Sequence, residues 1–523
     1  MSAGESLGYI AALDVGTTML RCQIFDDQAT VRGSCFNHIR LLYSEKGAVE
    51  INPEELWDSV IHCIKNAIKD ANVNVIQIKS LAISTQRGTF ITWTKHNGKP
   101  IHNFITWKDI RAADLTEQVN KSWKMLMLRS MSSLTYIISR YNKFRIVGNL
   151  KFTSSHVSMR LLWLLRHNKE VQKALNEDNL QFGTVDTWLL YQLTGGRTYV
   201  TDISNASATG LYDPFDNCWS FLNTYFNIPL NILPPVVNNI DFDFGETVNA
   251  LFQVPIKIGA LISDQSASMY GSHSLQVEDV KLTLGTGAFL NINTGKEVRG
   301  GIQGTYPLIG WKTESELAYL LEVPCSDAGS LIQWLLHSGL IQRMEELSDA
   351  TRNTKDNGGV FFIPAFSGLG PPINDEFATS GFIGITAETR KEHMIRAVLE
   401  SIIYRTVLAY NMLDKPCKKV DFIRVDGGVA RNDFICQLLA DLCNLEVKRN
   451  KAEMSTLGAA YLAGISSDFW KVDDIVAFSN KEDIFSPNRN PNVIQAITKG
   501  LKKWEVAAER FRSWNENVNN FRI

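Results

Sequence analysis

The apolar and polar positions of the chain fall into two similar patterns, one in each half. An apolar run from Leu7 to Leu13 leads into Asp14-Val15-Gly16-Thr17-Thr18, and a second apolar stretch, Leu20 to Phe25, follows at once. Far downstream, Val280 to Leu284 leads into Gly285-Thr286-Gly287 and then Phe289-Leu290-Asn291-Ile292. Short apolar runs bounded by glycine read as strands, so each pattern predicts strand–turn–strand. Between them, Asn52-Pro53-Glu54-Glu55 has the marks of a helix start: an Asn N-cap, Pro at the first helical position and Glu at the third. Leu56, Val60, Ile61, Ile64, Ala67 and Ile68 then hold one helical face. Further strands are expected over Ile76 to Ile83, Ile256 to Ile262 and Phe422 to Val425. Further helices are expected over Lys391 to Met412, Asp433 to Cys443 and Ser455 to Gly464. The last is rich in small residues, which let a neighbour pack close or a ligand approach the backbone. The repeated opening divides the chain near Gly271, into lobes 1–270 and 271–523.

One segment does not fit this frame. Lys121 to Lys151 carries Lys121, Lys124, Arg129, Arg140, Lys143 and Arg145 among apolar residues. It reads as a surface helical insertion whose apolar side packs on the first lobe, because such stripes usually face a core. The alternative is a basic amphipathic helix that touches a membrane or a partner.

Composition narrows the class. A chain of 523 residues exceeds one ordinary core, so two domains are expected. A net charge of -2 argues against a nucleic-acid binder, which is usually strongly basic. The eight cysteines include no Cys-x-x-Cys pair, which favours reduced thiols in a cytoplasmic protein over a disulfide framework. Cys436 and Cys443 share a helix face but have no nearby histidine to complete a metal site. Met1 to Ser6 lacks the pattern of a secretory signal. No stretch reaches the roughly 20 apolar residues of a membrane span; the nearest, Met125 to Ile138, is interrupted by Arg129.

The two turns carry the first chemistry. Glycine lets successive N–H groups point at one anion, and threonine adds a hydroxyl donor. One such turn is weak evidence, since hairpins use the same residues. Two of them, one per half, suggest a duplicated lobe closing on a phosphate chain. P-loop and Rossmann sites are disfavoured, because both place a helix after the glycine turn. Asp14, beside the first turn, suits Mg²⁺ bridged to phosphates, or it accepts turn N–H bonds. Asp264 ends an apolar strand and is the candidate base for a hydroxyl nucleophile, or else a helix cap. Gln265 beside it suits a second hydroxyl. Arg87, after Thr85-Gln86, offers a fork of donors for two hydroxyls of a polyol, or else an ordinary surface salt bridge. Asp426-Gly427-Gly428 leads to Asn432, where glycines admit an adenosine and Asn432 bonds it, caps a helix, or does both.

Together these elements resemble the FGGY family of carbohydrate kinases, of the actin/hexokinase-type superfamily, over roughly Tyr9 to Ile465. Within it the match is most similar to the glycerol kinases, through Thr85-Gln86-Arg87, Gly98-Lys99-Pro100-Ile101 and Trp107. Ser380 to Ile385 with His393, Ala397 and Glu400 is similar to the family's second signature. Val157 to Trp163 is similar to the first, with Arg160 where lysine is usual.

The resemblance implies an α/β, two-lobed, ribonuclease H-like fold with duplicated βββαβα-type domains and a cleft between them. It implies ATP and Mg²⁺, with Asp14 and Asp264 at the metal. Thr17, Thr18, Arg21, Thr286, Gly329, Gln333, Gly428 and Asn432 would serve the nucleotide. Arg87, Asp264, Gln265, Trp107 and Phe289 would serve the acceptor, with Asp264 as base. The expected reaction is phosphorylation of a small polyol, glycerol first, by a cytoplasmic protein compatible with a homo-oligomer. The alternatives are a kinase for another polyol or a ketose, and a nucleotide-binding regulatory protein with weak catalysis. Two positions depart from the glycerol kinase pattern. Gly88 stands where a glutamate accepts from glycerol, leaving room for a larger acceptor. Ser155 or His156 falls where a tyrosine is expected. Loss of one such buried hydrogen bond costs about 1–3 kcal/mol.

Overall fold

The structure is a computed structural model and describes residues 8–44, 47–300, 304–413, 420–478 and 481–515. Met1 to Ser6 and Cys417 lie outside the described residues. Two mixed sheets form the frame. The first uses β1 (Tyr9–Val15), β2 (Met19–Phe25), β3 (Val31–His38), β4 (Ile78–Thr85) and β5 (Ile258–Ser263), in the order β5-β4-β1-β2-β3. β1 to β3 form an antiparallel meander, and β4 and β5 add in parallel.

The second sheet repeats this plan. β6 (Val280–Leu284), β7 (Gly287–Gly295), β8 (Tyr306–Lys312), β9 (Leu317–Asp327), β10 (Phe422–Asp426), β11 (Glu446–Asn450) and β12 (Glu482–Phe485) run in the order β8-β9-β7-β6-β10-β11-β12. Again an antiparallel hairpin, β6-β7, is flanked by parallel strands β10 and β11. Each sheet has its own apolar core, and a third cluster joins the first sheet to β8 and β9 of the second.

Local signals explain most boundaries. Helix α1 (Pro53–Asp70) starts at Asn52, whose side chain accepts from the Glu54 and Glu55 N–H groups. The strand expected from Ile76 begins two residues later. Val75–Gln77 is a 3₁₀ turn, because the side chains of Asn74 and Gln77 cap it reciprocally.

The Lys121–Lys151 segment forms a helical hairpin, α2 (Trp123–Ser139) and α3 (Asn142–Gly148). Only part of its apolar surface packs on the lobe as expected. Only Met125 and Ser132 of α2 are buried, and the apolar stripe faces outward. On the buried side, Met125 and Leu128 join an apolar cluster of the first lobe, and Arg129 donates to the carbonyls of Leu150 and Asn120.

One element crosses the expected division at 270/271. Helix α4 (Asp264–Gly271) belongs to the first lobe and α8 (Met454–Ser466) to the second half of the sequence. A Cβ on Gly458 would lie 1.8 Å from the Ala267 carbonyl, and one on Gly271 would lie 2.2 Å from the Met454 carbonyl. The small residues therefore serve backbone-close helix packing, and α8 joins the apolar core of the first sheet through Leu457, Ala460 and Tyr461. The remaining helices used below are α5 (Gly329–His337), α6 (Lys391–Asn411) and α7 (Asp433–Cys443). Cys436 and Cys443 sit on α7 with thiols pushed up to about 12 by burial, and no metal-ligand cluster occurs among the described residues.

Candidate active site

A cleft of about 1790 Å³ opens between the two sheets, and every site residue expected from the sequence lines it. The two glycine turns meet across it. The first connects β1 to β2, with the Gly16 N–H donating to the Met19 carbonyl. The second connects β6 to β7. The hydroxyls of Thr18 and Thr286 lie 3.2 Å apart, although 268 residues separate them. Trp107 Nε1 donates to Thr17 Oγ1 at 2.7 Å, so the indole is tied to the first turn.

The second turn is braced by α5 and by the Asp426-Gly427-Gly428 turn. The Gly329 N–H donates to the Gly285 carbonyl at 2.9 Å, and a Cβ on Gly329 would lie 2.6 Å from that oxygen. Gly427 has φ +95°, and its Cβ position falls 2.4 Å from the Leu284 carbonyl. Only glycine permits both contacts. Gly428 differs: nothing lies within 4 Å of its Cβ position, which leaves open space on the cleft. Asn432 is the N-cap of α7, accepting from the Phe434 N–H, while its amide nitrogen reaches Ser348 at 3.5 Å. Gln333 lies one turn into α5 from Gly329. Arg21 lines the cleft but is engaged by Glu453 at 2.5 Å.

The carboxylates are held in a way the alternatives did not describe. Asp14 accepts from the hydroxyls of Ser84 and Ser455, each at 2.7 Å, rather than from turn N–H groups. Burial raises its pKa, and these hydroxyls and Arg21 oppose the rise. Asp264 begins α4 but does not cap it: its Oδ1 accepts only from the neighbouring Gln265 N–H, at 2.7 Å. Burial pushes Asp264 up to about 7; Arg87 opposes this, while repulsion from Asp14 and Glu322 adds to it. A carboxyl at that value exchanges its proton near neutrality, as a general base must.

Arg87 is not a surface ion pair. Its Nη2 donates to Glu322 Oε2 at 2.5 Å, and its Nε lies 3.7 Å from Asp264 Oδ1. The guanidinium stands 5.5 Å from the Phe289 ring centre, and Phe289 meets Trp107 edge-on at 5.9 Å. The Gln265 carbonyl oxygen accepts from Asn291 at 3.4 Å.

Sequence reasoning missed four residues here. Glu322, in mid-β9, orients Arg87 from the opposite lobe, and only a contact across 235 residues reveals it. Lys108 lines the cleft beside Trp107, with its pKa lowered by burial. Lys281 is buried and bridges Asp426 at 2.7 Å, fixing the start of the Asp426-Gly427-Gly428 turn. Tyr306 brings a phenol to the cleft from the second lobe, its ring 5.1 Å from His156. Burial holds His156 down to about 4, so the imidazole is neutral.

Gly88 lines the cleft. It has φ +70°, and its Cβ position already lies 3.4 Å from Trp107 Cβ and 3.7 Å from Arg160 Nη2. Arg160 occupies that side. It donates to the carbonyls of Gly88, Ser154, Ser155, Ile105 and Thr106 at 2.5–3.3 Å.

Two lobes with a repeated sheet plan, meeting at paired glycine turns over a half-buried carboxylate, define a phosphotransferase-type cleft. The sequence comparisons agree with that class. Residues 9–271 match the N-terminal domain of the FGGY family of carbohydrate kinases, and residues 280–467 match its C-terminal domain. The chain belongs to this family. It is 40% identical over 513 residues to glycerol kinase 5 of Danio rerio, covering 97% of each chain. It is 41% identical over 514 residues to glycerol kinase 5 of Homo sapiens, covering 97% of this chain and 96% of that one. It is also similar to a crystal structure of Plasmodium falciparum glycerol kinase with ADP, at 26% identity and a TM-score of 0.81, covering 98% and 99% of the two chains.

Proposed function

We propose that this protein transfers the γ-phosphoryl group of ATP to a primary hydroxyl of glycerol, giving ADP and sn-glycerol 3-phosphate. The observation that carries the reading is the meeting of Thr18 and Thr286 at 3.2 Å above Arg87 and Asp264 in one cleft. The relatives named glycerol kinase support the choice of acceptor.

In this reading the Gly-Thr turns hold the phosphates through backbone N–H groups and hydroxyls. Gly428 and Asn432 flank the adenosine, and Gly329 and Gln333 line its phosphate end. Glu322 holds one edge of the Arg87 guanidinium, and the other edge, with the Gln265 amide, holds the acceptor hydroxyls. Trp107 and Phe289 wall the carbon chain. Tyr306 offers a phenol where Ser155 and His156 do not. Asp264 takes the proton of the attacking hydroxyl, and closure of the lobes excludes water. Asp14 and Asp264 repel each other across the site, and hard carboxylate oxygens of this kind fit Mg²⁺. When bound, Mg²⁺ would neutralise phosphate charge there.

Initial rates on a panel of polyols and ketoses test this. Glycerol is expected to be turned over best. Clear turnover of a ketose without glycerol would reassign the acceptor, and ATP binding with no transfer to any acceptor would favour a nucleotide-binding regulator.

A further inference from the structure

Helix α2 is amphipathic the wrong way round for a helix of a free surface. Trp123, Leu126, Met127, Met131, Leu134, Ile137 and Ile138 recur at three- and four-residue spacing and share one face. That face points outward: these side chains are exposed from 51% at Met127 to 80% at Ile138. The opposite face, with Met125 and Ser132, is buried, and Arg129 is turned inward among carbonyls. A contiguous exposed apolar stripe of this kind marks an interaction surface.

Charge identifies what covers it. Residues 121–151 contain seven Lys and Arg and no Asp or Glu. The segment's +7 against a chain total of -2 leaves -9 for everything else, so positive charge is concentrated where the apolar stripe is exposed. Lys121 is paired with Glu117, Lys143 with Asp213 and Asp216, and Arg129 is turned inward, while Lys124 and Arg140 flank the two ends of the stripe, exposed. Trp123 and Tyr141 stand beside them, also exposed. Amphipathic aromatics next to cations at the ends of an aliphatic stripe suit the boundary between lipid headgroups and acyl chains. A second copy of this face would set cation against cation with no acid in the segment to pair them. No helix among the described residues is long and apolar enough to cross a membrane, so the helix would lie in the surface plane.

We propose that α2 is a membrane-surface helix that docks this protein on an anionic lipid bilayer. Flotation of the full chain with vesicles tests it. The protein is expected to float with phosphatidylcholine vesicles containing phosphatidylserine and not with pure phosphatidylcholine. A Leu134→Ser/Ile137→Ser/Ile138→Ser variant, with the melting temperature of the wild type, should stay unbound. Lys124→Gln and Arg140→Gln should each weaken binding about five-fold at low salt. Several results would overturn the proposal: no flotation with either vesicle, equal flotation with both, or flotation unchanged in these variants. A concentration-dependent dimer in sedimentation that the triple variant abolishes would give the face to a second copy instead.

Discussion

Asp264→Asn separates the demands of the site from those of the fold. The carboxyl is raised from 3.8 to about 7 by burial and by the neighbouring Asp14 and Glu322 carboxylates. For an acid with a raised folded pKa, ionisation weakens the folded state. Its stability contribution is fully present below about pH 4 and is lost as pH rises through about 7. A shift of about three units corresponds to a ceiling of about 4 kcal/mol. The Asp264 side chain is 25% exposed to the cleft, so solvent screening brings this to about 1–2 kcal/mol. The neutral amide of asparagine removes this penalty. Asp264→Asn is therefore expected to melt about 2–8 °C above the wild type at about pH 8 and at the same temperature at about pH 4, read by differential scanning calorimetry. Equal melting temperatures at both pH values, or a variant less stable at the higher one, would refute the electrostatic account of this carboxylate.

Glu322→Gln weakens the hold on Arg87 and removes a charge that raises Asp264; the acceptor KM should rise about ten-fold with nucleotide affinity unchanged, by initial rates and calorimetry. Gly329→Ala puts a Cβ 2.6 Å from the Gly285 carbonyl. It should weaken ATP binding about ten-fold and destabilise the lobe by about 1–3 kcal/mol, by titration calorimetry and urea unfolding. Arg160→Met removes five hydrogen bonds to carbonyls, those to Gly88, Ile105 and Thr106 buried. A loss of at least about 3 kcal/mol is expected in urea unfolding, with a raised acceptor KM because the loops of Gly88 and Trp107 loosen.

The parts legible in the sequence were those set by local chemistry. Asn52 and Pro53 announced α1, and Asn432 announced α7, because caps satisfy nearby N–H groups. The two Gly-Thr turns were legible because a short apolar run broken by glycine and threonine marks strand–turn–strand from local residues alone. Their contact with each other was not, since nothing local to Thr18 encodes Thr286. Glu322 and Lys281 read as ordinary strand residues, and only the packing of the sheets brings them to Arg87 and Asp426. The small residues of α8 were ambiguous between ligand approach and helix packing, and the Gly458–Ala267 contact decides for packing. The outward face of α2 ran against the expectation that an apolar stripe faces a core. The inward face is fixed by Met125 and Leu128, which pack on the lobe, and by Arg129, which bonds to Leu150 and Asn120.

The pH dependence of kcat/KM for glycerol tests the central claim most directly, because it reports the base in the free enzyme. With Asp264 as that base, the rate should climb about ten-fold per pH unit below about 7 and level off above it. In Asp264→Asn the climb should vanish with turnover down about 10²–10⁴-fold, while ATP still binds. A flat wild-type profile, or the same ascending limb in Asp264→Asn, would contradict it.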